Sequence, residues 1–123
     1  MKLVCITTLL FSAGVIAGTG GTDKPEVPFK YEQDYVDFYC EKWRGEIEYV
    51  LPDRTRVDCL TNDSAIEFDW CKKWAESIGQ STYYVKMTGK QPKAALICKA
   101  DELRFIERYR TTTGLEPIVI KRL

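Results

Sequence analysis

The chain of 123 residues contains no histidine, and this absence excludes a large group of functions. Ser-His-Asp and Cys-His nucleophilic sites, histidine-ligated zinc and haem, and mechanisms in which imidazole carries the proton all need that side chain. The chain also lacks an excess of charge of either sign, since 18 Lys and Arg balance 18 Asp and Glu. The global basic excess that by itself indicates a nucleic-acid-binding protein is therefore missing, and any site for a polyanion has to be local.

Long hydrophobic runs are missing as well, apart from one at the N-terminus. Residues 3–17 carry no charge, follow a lysine and end in small or compact side chains. This pattern is typical of a secretory signal peptide, and the run is shorter than the roughly 20 apolar residues that span a bilayer. We therefore expect a signal peptide over 1–17, a flexible leader over 18–28 and one domain over 29–123. The expected location is secreted or periplasmic without stable membrane insertion; a permanent anchor is the less favoured alternative.

The chain has five cysteines, and an even number of four remains once Cys5 is removed with the signal peptide. Exported chains of this size commonly form disulfides, whereas zinc sites need closely paired cysteines that are missing here; free buried thiols remain the alternative. Cys71 follows a predicted strand and Cys98 ends the next one. Since parallel strands joined by a helix end at the same sheet edge, we expect a Cys71–Cys98 disulfide and, by elimination, a Cys40–Cys59 disulfide.

Hydrophobic periodicity predicts eight elements in the order α-β-β-β-α-β-α-β. The helices are expected over residues 31–44, 70–88 and 101–112, and the strands over 46–51, 55–60, 65–69, 93–99 and 117–120. The fold class is therefore α/β (α+β): a central mixed sheet flanked by helices, with an αβββαβ core and an added C-terminal helix and strand. The expected core includes Trp70, Trp74, Ile78 and Tyr83, with Leu103, Ile106 and Tyr109 pointing inward from the last helix.

Carboxylates gather on one face of the predicted sheet. Alternation places Glu67 and Asp69 together on the polar face of the third strand and brings Asp58 of the second strand near them. If the hairpin pairs residues whose numbers sum to 106, Glu48 lies opposite Asp58 and joins this patch. Like charges held this close are destabilising unless they are neutralised, and a divalent cation such as Mg²⁺ or Mn²⁺ accepts oxygen ligands of this kind.

Several stretches around these acids resemble a known family. RVDCL (56–60), AIEFD (65–69) and KWAESIGQ (73–80), followed by YY (83–84), are similar to the core of the PD-(D/E)XK nuclease-like superfamily, in particular a small bacterial branch of it. The likeness covers roughly residues 31–98, and the superfamily fold is a four-stranded mixed sheet in an αβββαβ core. The resemblance implies divalent-metal-dependent cleavage of a phosphodiester bond, with DNA or RNA as the partner.

The resemblance also implies roles for individual residues. Asp58 and Glu67 correspond to the metal ligands, and Glu32 of the first helix completes the set. The superfamily pattern has a lysine two residues after the second acid, but this chain has Asp69 at that position. Lys73, one turn into the following helix, is the expected replacement for this catalytic cation; the alternative is a plain salt bridge between Lys73 and Asp69.

Lys73 begins a polar stripe on the predicted long helix. Glu76, Gln80 and Tyr84 follow it at spacings of three and four residues and so share one face with it. The pair of Gln80 and Tyr84 resembles an accessory motif of RecB-like nucleases, which contributes metal and DNA contacts. Gln80 is therefore grouped with the catalytic residues, and Glu76 and Tyr84 are accessory.

Other interpretations of the same residues remain open. A set of dispersed basic residues is either a phosphate-tracking surface or an ordinary solvated face: Lys86, Lys90, Lys93, Lys99 and Arg104. The protein is either a nuclease, a disulfide-containing binding protein that kept the fold without the chemistry, or a Ca²⁺-binding module. The last of these would use Glu48, Asp58, Glu67 and Asp69. The oligomeric state is not indicated by the sequence.

Overall fold

Five strands form one mixed sheet in the computed structural model, which describes residues 29–123. The elements are α1 (Glu32–Lys42), β1 (Glu46–Val50), β2 (Arg56–Leu60), β3 (Ser64–Trp70), α2 (Trp74–Thr88), β4 (Gln91–Cys98), α3 (Leu103–Thr113) and β5 (Ile118–Lys121). Short 3₁₀ turns precede α2 and α3. The predicted element order is confirmed, whereas the predicted signal peptide and leader lie outside the described residues.

The sheet has the strand order β1-β2-β3-β4-β5. β1 and β2 form the predicted hairpin with the predicted register, in which Tyr49 pairs with Val57 and Val50 with Arg56. β3 runs antiparallel to β2, and β4 and β5 run parallel to β3. The sheet is therefore mixed, as expected for a hairpin followed by crossover connections.

β4 lies inside the sheet and explains the continuous apolar run in its sequence. It pairs with β3 over seven consecutive residues, from Ser64 opposite Gln91 to Trp70 opposite Ile97. Residues 94–98 of β4 are all buried. A parallel strand covered on both faces needs apolar side chains in both directions, which is the pattern observed.

Helices cover both faces of the sheet. α1 lies on one face, where Tyr35, Val36 and Cys40 pack against β3 residues Ile66 and Phe68. α3 and part of α2 lie on the other face and pack against the even-numbered residues of β4. α2 and α3 each end at a glycine with positive φ, the usual helix-terminating conformation. The result is a three-layer arrangement with the sheet between the helices.

Two of the expected core residues are exposed. Tyr83 is 40% exposed and donates its phenolic hydroxyl to Asp53, while the neighbouring Tyr84 is buried. The inward stripe of α2 consists of Ser77, Ser81 and Tyr84, so the sequence prediction chose the wrong member of the tyrosine pair. On α3 the predicted inward residues Ile106 and Tyr109 are buried, whereas Leu103 is exposed. The predicted core residues Trp70, Trp74 and Ile78 pack at the edges of the core clusters.

Both expected disulfides are present. Cys40 in α1 is joined to Cys59 in β2, and Cys71 after β3 is joined to Cys98 at the end of β4. Gly45, in the turn between α1 and β1, lies directly against the first bridge. A Cβ at this position would stand 2.5 Å from the Cys59 sulfur and 2.8 Å from the Cys40 sulfur, which is closer than real contacts allow.

Candidate functional site

The candidate site begins where β2 separates from β3. The ladder between these strands consists of the pairs Cys59 with Ile66 and Leu60 with Ala65. At the next position the backbone N–H of Asp58 donates to Glu67 Oε1 at 3.3 Å, and the N–H of Phe68 donates to Asp58 Oδ2 at 2.9 Å. The two carboxyl groups thus satisfy backbone donors that would otherwise lack partners. This explains how the fold accommodates acids in the sheet interior.

Asp58 and Glu67 also interact with each other. Glu67 is only 2% exposed, and burial together with the charge of Asp58 raises the pKa of Glu67 to about 9. Burial likewise raises the pKa of Asp58, although the N–H of Phe68 and a hydrogen bond from the Glu67 carboxyl oppose the rise. Both pKa values are thus raised, so the pair resists full ionisation at neutral pH.

Glu48 joins this pair from β1. It lies between the hairpin pairs Ile47 with Cys59 and Tyr49 with Val57, and it has a left-handed backbone with φ of 54°. Its carboxylate forms a 3.2 Å ion pair with Arg56 and contributes to the raised pKa of Asp58. The predicted position of Glu48 opposite Asp58 is thus consistent with the observed register.

A second group of acids lies toward the end of β3. Burial raises the pKa of Glu32 to about 7, with further contributions from the charges of Asp69 and Asp58. Burial raises the pKa of Asp69 to about 6, and the charge of Glu76 adds to this rise. The backbone N–H of Trp70 lowers both of these pKa values. Glu32 at the start of α1 therefore approaches the strand end at which Asp69 lies.

Lys73 is the basic residue whose positive charge interacts with this second group. Its charge lowers the pKa of both Glu32 and Asp69. Within residues 29–123 it forms no direct ion pair, so the simple salt bridge between Lys73 and Asp69 is not formed. An exposed ammonium beside several carboxylates, without a fixed partner, is free to contact a bound anion.

The predicted stripe on α2 divides into two parts. Glu76 and Gln80 are exposed, whereas Tyr84 is buried and approaches the acids. Burial raises the pKa of Tyr84 to about 12, with further contributions from the charges of Glu67 and Asp58. Ser81, which the sequence interpretation missed, is buried in the same inward stripe, and its hydroxyl has no hydrogen-bond partner among the described residues. Its signal was the shared helical face with Tyr84.

The five dispersed basic residues do not form one surface. Lys90 is used structurally, since its ammonium donates to the carbonyls of Thr61 and Asn62 at 2.6 and 2.9 Å. Lys93 lies in a cavity with Trp43, on the face covered by α1. Lys99 and Arg104 line a common cavity at the other end of β4.

Across residues 29–123, no three acidic or thiol side chains stand close enough together to hold a metal ion by themselves. The expected trio of Asp58, Glu67 and Glu32 is therefore not a closed three-ligand group; the contact is between Asp58 and Glu67. In the same range, no helix has the length and apolar character needed to cross a membrane.

Comparison with known proteins adds no relative. No protein-family model, no curated protein and no solved structure matches this chain. The function is therefore inferred from the geometry of the acids and the residues around them.

Proposed function

We propose that the protein is an exported, divalent-metal-dependent phosphodiesterase of the PD-(D/E)XK type that acts on DNA or RNA. The observation that carries this proposal is the contact between Asp58 and Glu67 on neighbouring strands, with Glu32, Asp69 and Lys73 beside them. Strongly raised carboxyl pKa values in a polar cluster are typical of functional sites.

The pair of Asp58 and Glu67 suits Mg²⁺ or Mn²⁺. Mg²⁺ commonly keeps several waters and takes only one or two protein carboxylates, so a closed cage of three ligands is not required. One oxygen of each carboxyl group accepts a backbone N–H, and Asp58 Oδ1 and Glu67 Oε2 accept none. Binding of the cation would displace the proton that Glu67 holds. When bound, the ion would acidify a coordinated water and offset the phosphate charge.

The superfamily pattern has a lysine at the position that Asp69 occupies here. Lys73 would supply the missing cation from the neighbouring turn. Its ammonium acts on Glu32 and Asp69 without being fixed by an ion pair. In phosphodiester hydrolysis, negative charge develops on the phosphoryl oxygens, and a positioned ammonium stabilises it. Lys73 is therefore assigned the role of holding the phosphate or orienting the attacking water.

Calorimetric titration of Mg²⁺ or Mn²⁺ into the purified protein, followed by a plasmid-nicking assay, tests the proposal. Titrations in two buffers of different ionisation enthalpy should reveal release of the Glu67 proton. Asp58→Asn should abolish metal binding. Lys73→Ala should leave metal affinity nearly unchanged and reduce the cleavage rate by about 10² or more, whereas Lys86→Ala, which removes an exposed lysine from α2, should change neither. A wild-type protein that neither binds the ions at millimolar concentration nor changes its melting temperature would contradict the proposal.

A second function is favoured by one observation. The two carboxyl groups complete the hydrogen bonding between β2 and β3 without any ion. The protein would then be a non-catalytic, disulfide-containing binding protein whose acids are structural. In that case Asp58→Asn and Lys73→Ala would leave all measured binding unchanged, and metal titration would give no heat.

A further inference from the structure

A basic cavity lies beside the acids and is not used by the proposed chemistry. It has a volume of about 230 Å³ and is lined by four cationic side chains and two aromatic rings: Lys72, Lys99, Arg104, Arg122, Trp70 and Phe105. We refer to it as the basic pocket. It is below the roughly 300 Å³ of ordinary small-molecule sites, so it suits one charged group with a neighbouring ring.

The basic pocket has an excess of positive charge, because its carboxylates offset only half of its cations. Its four cations face two carboxylates, Asp101 and Glu102. Glu102 is occupied by the backbone N–H of Lys99 at 2.9 Å, and within residues 29–123 none of the four cations forms an ion pair with a carboxylate. Four cations gathered in one cavity repel each other unless an anion binds between them. The preferred ligand is therefore anionic.

Two arginines in this pocket are arranged as flat platforms. The guanidinium of Arg122 stacks 4.4 Å from the Trp70 ring, and that of Arg104 stacks 4.4 Å from the Phe105 ring. Arg122 is held in place because its backbone N–H donates to the Cys98 carbonyl at 2.9 Å. Stacked guanidinium planes bind phosphate oxygens at their edges and unpaired bases on their faces.

The basic pocket and the acid cluster share one short segment. The Trp70 side chain lines the pocket, while its backbone N–H lowers the pKa of Glu32 and Asp69. In the turn that follows, Lys72 lines the pocket, and the charge of Lys73 lowers the pKa of Asp69. An extended anionic ligand anchored in the basic pocket would thus lie next to the acids.

We infer that the basic pocket binds a phosphate group and an adjacent unpaired base of single-stranded nucleic acid. This inference rests on the proposed function, for which it names the substrate class and the anchoring residues. In a duplex the bases are paired and stacked on each other, so they are not available to a stacked arginine. The pocket therefore favours single strands over duplexes.

Fluorescence anisotropy of a short single-stranded DNA with a 5′ phosphate, measured in EDTA, tests this inference. Arg122→Ala and Lys99→Ala should each weaken binding about tenfold or more, which is the effect of losing one good phosphate contact. Arg122→Lys keeps the charge but loses the flat platform, so it should fall between wild type and Arg122→Ala. Lys86→Ala, which removes an equal charge outside the pocket, should change the affinity less than about twofold. Melting temperatures verify that each variant is folded.

Four results would overturn the inference: no binding by the wild-type protein, an equal loss in Lys86→Ala, equal affinity for the duplex, or inorganic phosphate competing as well as the strand. Because EDTA removes metal ions, this binding is measured independently of catalysis. Strand binding without metal uptake would leave the basic pocket standing and contradict the phosphodiesterase. Metal uptake and cleavage without binding at this pocket would support the phosphodiesterase and contradict the role of the basic pocket.

Discussion

The two sides of β3 are bonded in different ways. Toward β4, the strand forms an uninterrupted ladder of seven residue pairs. Toward β2, two pairs precede the point at which the side chains of Asp58 and Glu67 accept the backbone N–H groups. The same strand thus has one side held by backbone pairing and apolar packing and one side at which acids replace the ladder.

This difference indicates why the acids can be buried at all. A carboxylate in a sheet interior is costly unless it accepts hydrogen bonds, and a complete ladder leaves no backbone N–H to donate. The opening between β2 and β3 provides such donors to Asp58 and Glu67. The β4 side offers none, and its buried residues are alanine, leucine, isoleucine and the disulfide-bonded Cys98.

The largest effect is expected on the β4 side. Leu96 is completely buried between α3 and the sheet, so Leu96→Ala should destabilise the protein by about 2–5 kcal/mol through lost burial and a new cavity. Leu103→Ala is the matched control, because Leu103 is exposed and should cost less than about 0.5 kcal/mol. Urea unfolding measures both. Equal losses would contradict the assignment of the stability to this side.

A smaller effect is expected where the acids replace the ladder. Asp58→Ala removes the acceptor of the Phe68 N–H and should cost about 1–3 kcal/mol, since a buried donor is left unpaired. Asp58→Asn keeps an acceptor oxygen for the Phe68 N–H, so its metal-free stability should stay closer to wild type than that of Asp58→Ala. Urea unfolding in EDTA compares the two variants. If Asn costs as much as Ala, the charge of Asp58 is itself structural.

The acids should also make the stability depend on pH in EDTA. The folded protein keeps the Glu67 proton up to a pKa of about 9, whereas the unfolded chain loses it near the ordinary 4.5. Between these values the folded state binds more protons, so stability should fall as pH rises. Glu32 and Asp69 add to the fall below about pH 7 and 6.

Thermal unfolding should therefore give a lower melting temperature at pH 8.5 than at pH 5. Glu67→Gln mimics the protonated acid and should flatten this slope, whereas the exposed Glu46→Gln should not. A melting temperature that rises over this range in the wild-type protein would mean that Glu67 is ionised in the folded state.

The sequence was sufficient for the parts of the molecule that depend on periodicity. Alternation predicted the two strands of the hairpin, whose observed register is the one considered, and the apolar run of β4 predicted a strand covered on both faces. Adjacent tyrosines were ambiguous, because Tyr83 and Tyr84 differ by only 100° around a helix and the choice depends on how α2 rotates against the sheet.

The basic pocket and the Asp58–Glu67 contact show the limit of sequence reasoning about the site. Spacing brought the acids to one patch, but the point at which the ladder between β2 and β3 ends is a property of the assembled sheet that no local pattern encodes. Arg122 was not recognised at all, because its position beside Trp70 follows from the pairing of β5 with β4. Contacts between distant segments of this kind require the assembled sheet.

Gly45 has a consequence for how this sequence can diverge. The space that a side chain would need there is filled by the sulfurs of Cys40 and Cys59. A descendant chain that loses either cysteine releases position 45 from this restriction, whereas one that keeps both must keep the glycine. The three positions should thus be inherited as a set, and homologues that carry a larger residue at position 45 are expected to lack the bridge.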